Sequence, residues 1–210
     1  METYLTEEER VEALQRWWKE NKASVFLGLI LGLVVILGWR IWQSNRLEKA
    51  EQASQVFHQL NQATAAKQTD AALKLGDRLI LQYPGTTYAE FARLFIAKIK
   101  VDSGDLDGAR KVLDQAYHEG KDDALRSLAQ LRLGRVMLAQ GDIDAGLKLL
   151  DSATEKSVGK FTVLFDELRG DLLVAAKRPL DARAAYSKAK ETGDLSPLLE
   201  LKMNELPDSL

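Results

Sequence analysis

The chain has 210 residues, 29 basic and 31 acidic side chains and a formal net charge of −2, with 46% hydrophobic residues. Beyond residue 42 the charge stays near neutral and no basic run appears, which argues against a nucleic-acid partner, since a phosphate backbone demands a clustered cationic face. There is no cysteine, so disulfides, thiolate metal sites and thiol nucleophiles are excluded together.

The first element is a short N-terminal tail, residues 1–22, in which Val11, Leu14, Trp17 and Trp18 share one helical face among acidic neighbours. Residues 23–42 follow as an uncharged apolar run closed by Gly38-Trp39-Arg40-Ile41-Trp42, with Arg40 placed to snorkel outward. All four tryptophans flank this run. Trp18 and Trp39 are 21 residues apart, which is about 31 Å along a helix and close to the hydrocarbon thickness of a bilayer. Trp17, Trp18, Trp39, Arg40 and Trp42 therefore read as anchors at the two faces of a lipid bilayer. The run is too long for a signal-peptide core, and no small-x-small cleavage site follows it, so the anchor is expected to be retained. Gly28 and Gly32 form a G-x-x-x-G, a candidate docking face for another membrane helix. Flanking charges leave the orientation open: four basic residues precede the span and three follow it closely.

From Arg46 onward apolar positions recur every three to four residues, as in helices. Breaks fall at 67–69, 83–85, 103–105, 119–121, 140–142, 158–159, 177–179 and 192–194, mostly on Gly, Pro and Asp. Asp105, Asp142 and Asp194, each after a glycine, read as helix N-caps, and Asp122-Asp123 as a helix start. Internal similarity is plain. Gly104-Asp-Leu106-Asp-Gly-Ala109 recurs as Gly141-Asp-Ile143-Asp-Ala-Gly146, and a further shift aligns Gly134 with Gly170 and Leu150 with Tyr186. This period, with small, large and small residues along the second helix, resembles the tetratricopeptide (TPR) repeat. Gly146 or Ala182 would then let the second helix lie close to the first of its own pair. The expected fold class is all-α: an N-terminal transmembrane helix followed by a TPR-like solenoid over 46–207. It would hold four helical pairs, the first degenerate, and a capping helix near Ser196–Glu205.

Such a solenoid presents a concave face built by its first helices. The expected lining is Phe91, Leu94, Lys98 and Val101, then Leu128, Leu131, Arg135 and Leu138, then Leu164, Glu167, Asp171 and Val174. A face this apolar needs an occupant, either a partner or the chain's own terminal helices. His58 and His118 lack ligand-spaced neighbours, and no phosphate loop, nucleophile elbow or zinc motif occurs. No enzyme activity, cofactor or metal is expected.

The acidic tail, Val11-Glu12-Ala13-Leu14 with Trp17-Trp18-Lys19-Glu20-Asn21, the glycine-bearing span, its Gly-Trp-Arg-x-Trp exit and the TPR domain together resemble the YfgM family of Gram-negative bacteria, the ancillary subunit of the SecYEG translocon. The resemblance covers the whole chain and is most specific over residues 7–45. It implies an inner-membrane protein with a cytoplasmic N-terminus and a periplasmic TPR domain. Its implied partners are SecYEG, a PpiD-like membrane-anchored chaperone and unfolded secreted proteins; it assigns no catalytic residue. A TPR adaptor serving another envelope machine, in outer-membrane assembly or wall synthesis, is the alternative expectation.

Overall fold

The computed structural model describes residues 7–154, 158–192 and 197–207, and all regular structure among them is helical. The chain divides into two compact units, residues 1–49 and 50–210, within its first helix, α1 (Glu7–Ala65).

In the first unit α1 carries a segment long and apolar enough to cross a membrane, and none of that segment is buried by protein. Leu29, Ile30, Leu31, Val35 and Ile36 are all exposed and point in all directions about the axis, so apolar surface runs round the whole helix rather than along one stripe. A helix of that kind matches a lipid environment. Side chains at the end of this segment interact locally. Trp39 and Trp42 stack with centroids 5.2 Å apart, and the Arg46 guanidinium lies 4.7 Å from the Trp42 ring.

The second unit is a stack of helices: the end of α1, then α2 (Thr69–Gln82), α3 (Thr87–Asp102), α4 (Leu106–Glu119), α5 (Asp123–Gln140), α6 (Ile143–Asp151), α7 (Thr162–Ala175), α8 (Pro179–Thr192) and α9 (Pro197–Asn204). A 3₁₀ turn, Gly159–Phe161, leads into α7. The core passes from pair to pair. Val56 and Leu60 of α1 pack with Leu79 and Ala92, Leu113 of α4 with Leu94 and Leu133, and Leu150 of α6 with Leu131 and Leu168. Each second helix is thus wedged between two successive first helices, as a helical solenoid requires.

One turn recurs four times. Lys67, Gly104, Gly141 and Lys177, spaced by 37, 37 and 36 residues, all have positive φ, from 56° to 82°. At each, two backbone hydrogen bonds close a Schellman motif, as in Gly141 N to Leu138 O and Asp142 N to Met137 O. The equivalent bonds at Lys67-Gln68, Gly104-Asp105 and Lys177-Arg178 make the degenerate first pair a true member of the series. The left-handed turn is glycine's natural place, yet lysine occupies it twice.

Two sequence expectations about these pairs are corrected. A Cβ at Gly146 would lie 2.7 Å from Leu172 Cδ2, so this glycine admits the first helix of the next pair, α7, rather than its own partner α5. Gly76 does the same on α2, where Ile96 of α3 fills the space. The within-pair close approach is made instead by Gly170, against the Tyr186 ring. Of the expected caps, Asp105 accepts from Gly108 N at 2.8 Å and Asp122 from Leu125 N at 2.9 Å. Asp142 makes no capping bond and pairs with Arg110 at 2.9 Å, because Arg110 reaches it across the turn. Asp194 and Ser196 lie outside the described residues.

Candidate partner-binding groove

Polar links brace α5 against α3 and against α6. Glu90 of α3, buried, accepts from Lys121 N at 2.9 Å and from Asp122 N, and so clamps the start of α5. A buried carboxylate bound to backbone N–H groups is a strong, oriented contact. Gln130, also buried, donates to Leu149 O at 2.8 Å and fixes α5 against the end of α6. Arg132 donates to Leu94 O of α3 at 3.3 Å.

Between α3 and α5 this framework leaves an open cleft of about 310 Å³. Its walls are Ala97, Val101, Leu106, Leu113, Val136 and Ala139, with Lys98, Arg132 and Arg135 among them. Lys98 pairs with Asp102 on its own helix. Among the described residues, neither Arg132 nor Arg135 has a carboxylate within ion-pair distance. Burial, and then the neighbouring charge of Arg135, pull the Arg132 guanidinium below its ordinary pKa, although an arginine stays protonated.

The expected lining residues divide into three groups. Lys98, Val101, Arg135 and Val174 are exposed. Phe91, Leu128, Leu138 and Leu164 are half-buried: Phe91 stacks 5.7 Å from Phe57 of α1, and the three leucines lie against the neighbouring cores. Leu94 and Leu131, at 3% and 1% exposure, are core residues, so their place in the groove is corrected. On α5 it is Arg132, the next residue, that reaches the cleft. Helical period alone misses this because α5 is packed on several sides. Ser127, Ala129, Gln130, Leu131, Leu133, Gly134, Val136 and Met137 are all buried, which leaves no single apolar stripe to set the register. Arg132 went unrecognised for that reason.

Glu167 and Asp171 on α7 are already occupied. Lys202 of α9 lies 2.8 Å from Glu167 and 2.7 Å from Asp171, and Tyr186 donates to Asp171 at 2.7 Å. Arg183 adds a 3.0 Å bond to Leu206 O, which holds the terminal segment against α8. The chain's own C-terminal helix, packed against α8, therefore supplies the counter-charge to Glu167 and Asp171, whereas Arg132 and Arg135 have none among the described residues.

Elsewhere in the chain, Trp17, Trp18, Trp39, Arg40 and Trp42 are exposed, and Gly28 and Gly32 have open space around them. His58 and His118 are exposed and contact nearby side chains on their own helices, Gln62 for the first and Asp114 and Tyr117 for the second.

Known proteins align with this architecture along its whole length. The tetratricopeptide repeat-like domain family matches residues 15–208. A protein of Escherichia coli named ancillary SecYEG translocon subunit is 32% identical over 98% of this chain and 99% of its own. Proteins of the same name from Haemophilus influenzae and Aggregatibacter actinomycetemcomitans are each 29% identical over 96% of this chain and 98% of theirs. With its apolar helix and its repeats both inside these matches, the chain belongs to the YfgM family of TPR-like proteins.

Proposed function

We propose that this chain is a non-enzymatic accessory subunit of the SecYEG translocon. Its single apolar helix sits in the inner membrane through the flanking tryptophans and Arg40, with residues 1–22 cytoplasmic and the repeat domain periplasmic. There the open groove receives a PpiD-like chaperone or a secreted protein leaving the channel, and Gly28 and Gly32 form the face on which another membrane helix packs. The carrying observation is that relatives named for that role align end to end, over the anchor as well as the repeats. A solenoid whose polar residues brace helices, beside an open apolar cleft, suits a docking function.

In-cell photocrosslinking from positions 98, 135 and 28 tests this. Adducts to SecY or to a membrane-anchored chaperone are expected. Adducts restricted to outer-membrane or wall-synthesis proteins would replace this reading with that of an adaptor for another envelope machine. Protease added to spheroplasts should digest the repeat domain, and protection until the inner membrane is lysed would reverse the orientation.

A further inference from the structure

We propose that the α3–α5 cleft takes an acidic–apolar segment of a partner protein, with an apolar side chain between Val101, Leu106 and Ala139 and a side-chain carboxylate on Arg132 and Arg135. This rests on the reading of the groove as a partner site and names the chemistry of its occupant.

The first argument is the unmatched charge. Other basic side chains facing neighbouring helices in this domain meet carboxylates: Arg110 with Asp142, Arg169 with Asp151, Lys202 with Glu167 and Asp171. Arg132 and Arg135 instead stand three residues apart on one helix face, a repulsive spacing, at an apolar wall. A carboxylate between them relieves that repulsion and forms charge-assisted hydrogen bonds.

The second argument comes from the repeat. Lys98, Arg135 and Asp171 occupy equivalent positions on α3, α5 and α7, at spacings of 37 and 36 residues. At Asp171 the chain supplies its own counter-charge: Lys202 of α9 lies on the carboxylates, and Leu206, just beyond α9, packs on the neighbouring apolar surface. At Arg135 the charge is reversed, and among the described residues no carboxylate lies within ion-pair distance of it. The complementary occupant therefore carries an acidic group where α9 carries Lys202.

The third argument is the lining. An inorganic anion gains nothing from six apolar side chains, whereas a cleft of about 310 Å³ suits one large aliphatic or aromatic side chain. Charge around such a pocket sets specificity and orientation, while the apolar insertion supplies affinity.

The test uses the full-length chain in detergent micelles and three short fluorescein-labelled peptides. One carries Leu-Phe flanked by glutamates, the second has lysines in place of the glutamates, and the third has alanines in place of Leu-Phe. Fluorescence anisotropy should show the glutamate peptide binding about ten-fold tighter than its lysine twin, the scale of one effective charge contact. The alanine peptide should bind weakly. Arg135→Gln, an exposed change whose folding is checked by circular dichroism, should abolish the preference, and Arg135→Glu should invert it. Equal affinity of the twins, no binding of any peptide, or an unchanged preference in Arg135→Gln overturns the proposal. Self-association in sedimentation equilibrium that Val101→Asp abolishes would make a second copy the occupant, which also overturns it. The two readings fail separately. Translocon crosslinks that persist in an Arg132→Gln/Arg135→Gln chain sink this inference alone, whereas their absence from the unaltered chain sinks the translocon role.

Discussion

The hydroxyl of Tyr186 donates a 2.7 Å hydrogen bond to Asp171, and that carboxylate also takes Lys202 from the terminal helix. Burial, then the bond to Asp171, raise the Tyr186 phenol far above its ordinary pKa, so it remains a donor under all physiological conditions. Tyr186→Phe leaves the packing and removes the donor; it should cost about 1 kcal/mol. Urea titration measures the loss. Trypsin should also release α9 sooner, because the contact it shares with Lys202 is weakened.

Lys202 gives this contact a pH dependence. Burial alone would lower its pKa, but the hydrogen bonds to Asp171 and Glu167 outweigh that and raise it above 10.5. A cation whose folded pKa is raised stabilises fully below its unfolded value and loses the contribution as pH climbs through the folded one. Thermal stability should therefore fall above about pH 10.5, and Lys202→Met should remove that part of the fall. An identical alkaline profile in the variant would disprove the linkage.

Glycines at close approaches should differ in cost. A Cβ on Gly170 would run into the Tyr186 ring, whereas one on Gly146 meets the free end of Leu172. Gly170→Ala should destabilise by about 2–3 kcal/mol and Gly146→Ala by about 1, since a leucine end rotates aside and a packed ring does not. Denaturant midpoints at constant slope are the readout.

The left-handed lysines offer the opposite sign. Lys177→Gly and Lys67→Gly should each stabilise by about 0.5–1 kcal/mol by relieving the Cβ clash at positive φ. Gly141→Ala should lose about 1 kcal/mol by introducing it. Chemical denaturation of the three variants tests one physical cause from both directions.

Aspartate scanning should separate groove from core. Leu131→Asp buries a lone carboxylate at a site only 1% exposed and should unfold the repeat domain, read as loss of cooperative melting. Val101→Asp, at a site 41% exposed, should change stability by less than about 0.5 kcal/mol while placing an acid in the cleft.

The apolar span, the Trp positions at both ends and the repeat were legible in the sequence because each rests on local spacing. A bilayer thickness fixes how many residues must be apolar, and a helical pair fixes the interval at which turns recur. The breaks at 103–105 and 140–142 therefore coincide with observed helix ends. Which side of α5 faces the groove was not local. Leu131 and Arg132 differ by one residue, and only the wedging of α4 and α6 on either side decides that the leucine enters the core while the arginine reaches the cleft. The same holds for Gly146, whose neighbour Leu172 belongs to the next repeat, and for Lys202, which meets Asp171 across 31 residues. Sequence sets the elements because backbone geometry is periodic; tertiary packing sets the free surface, because exposure is what remains after every neighbour has taken its share.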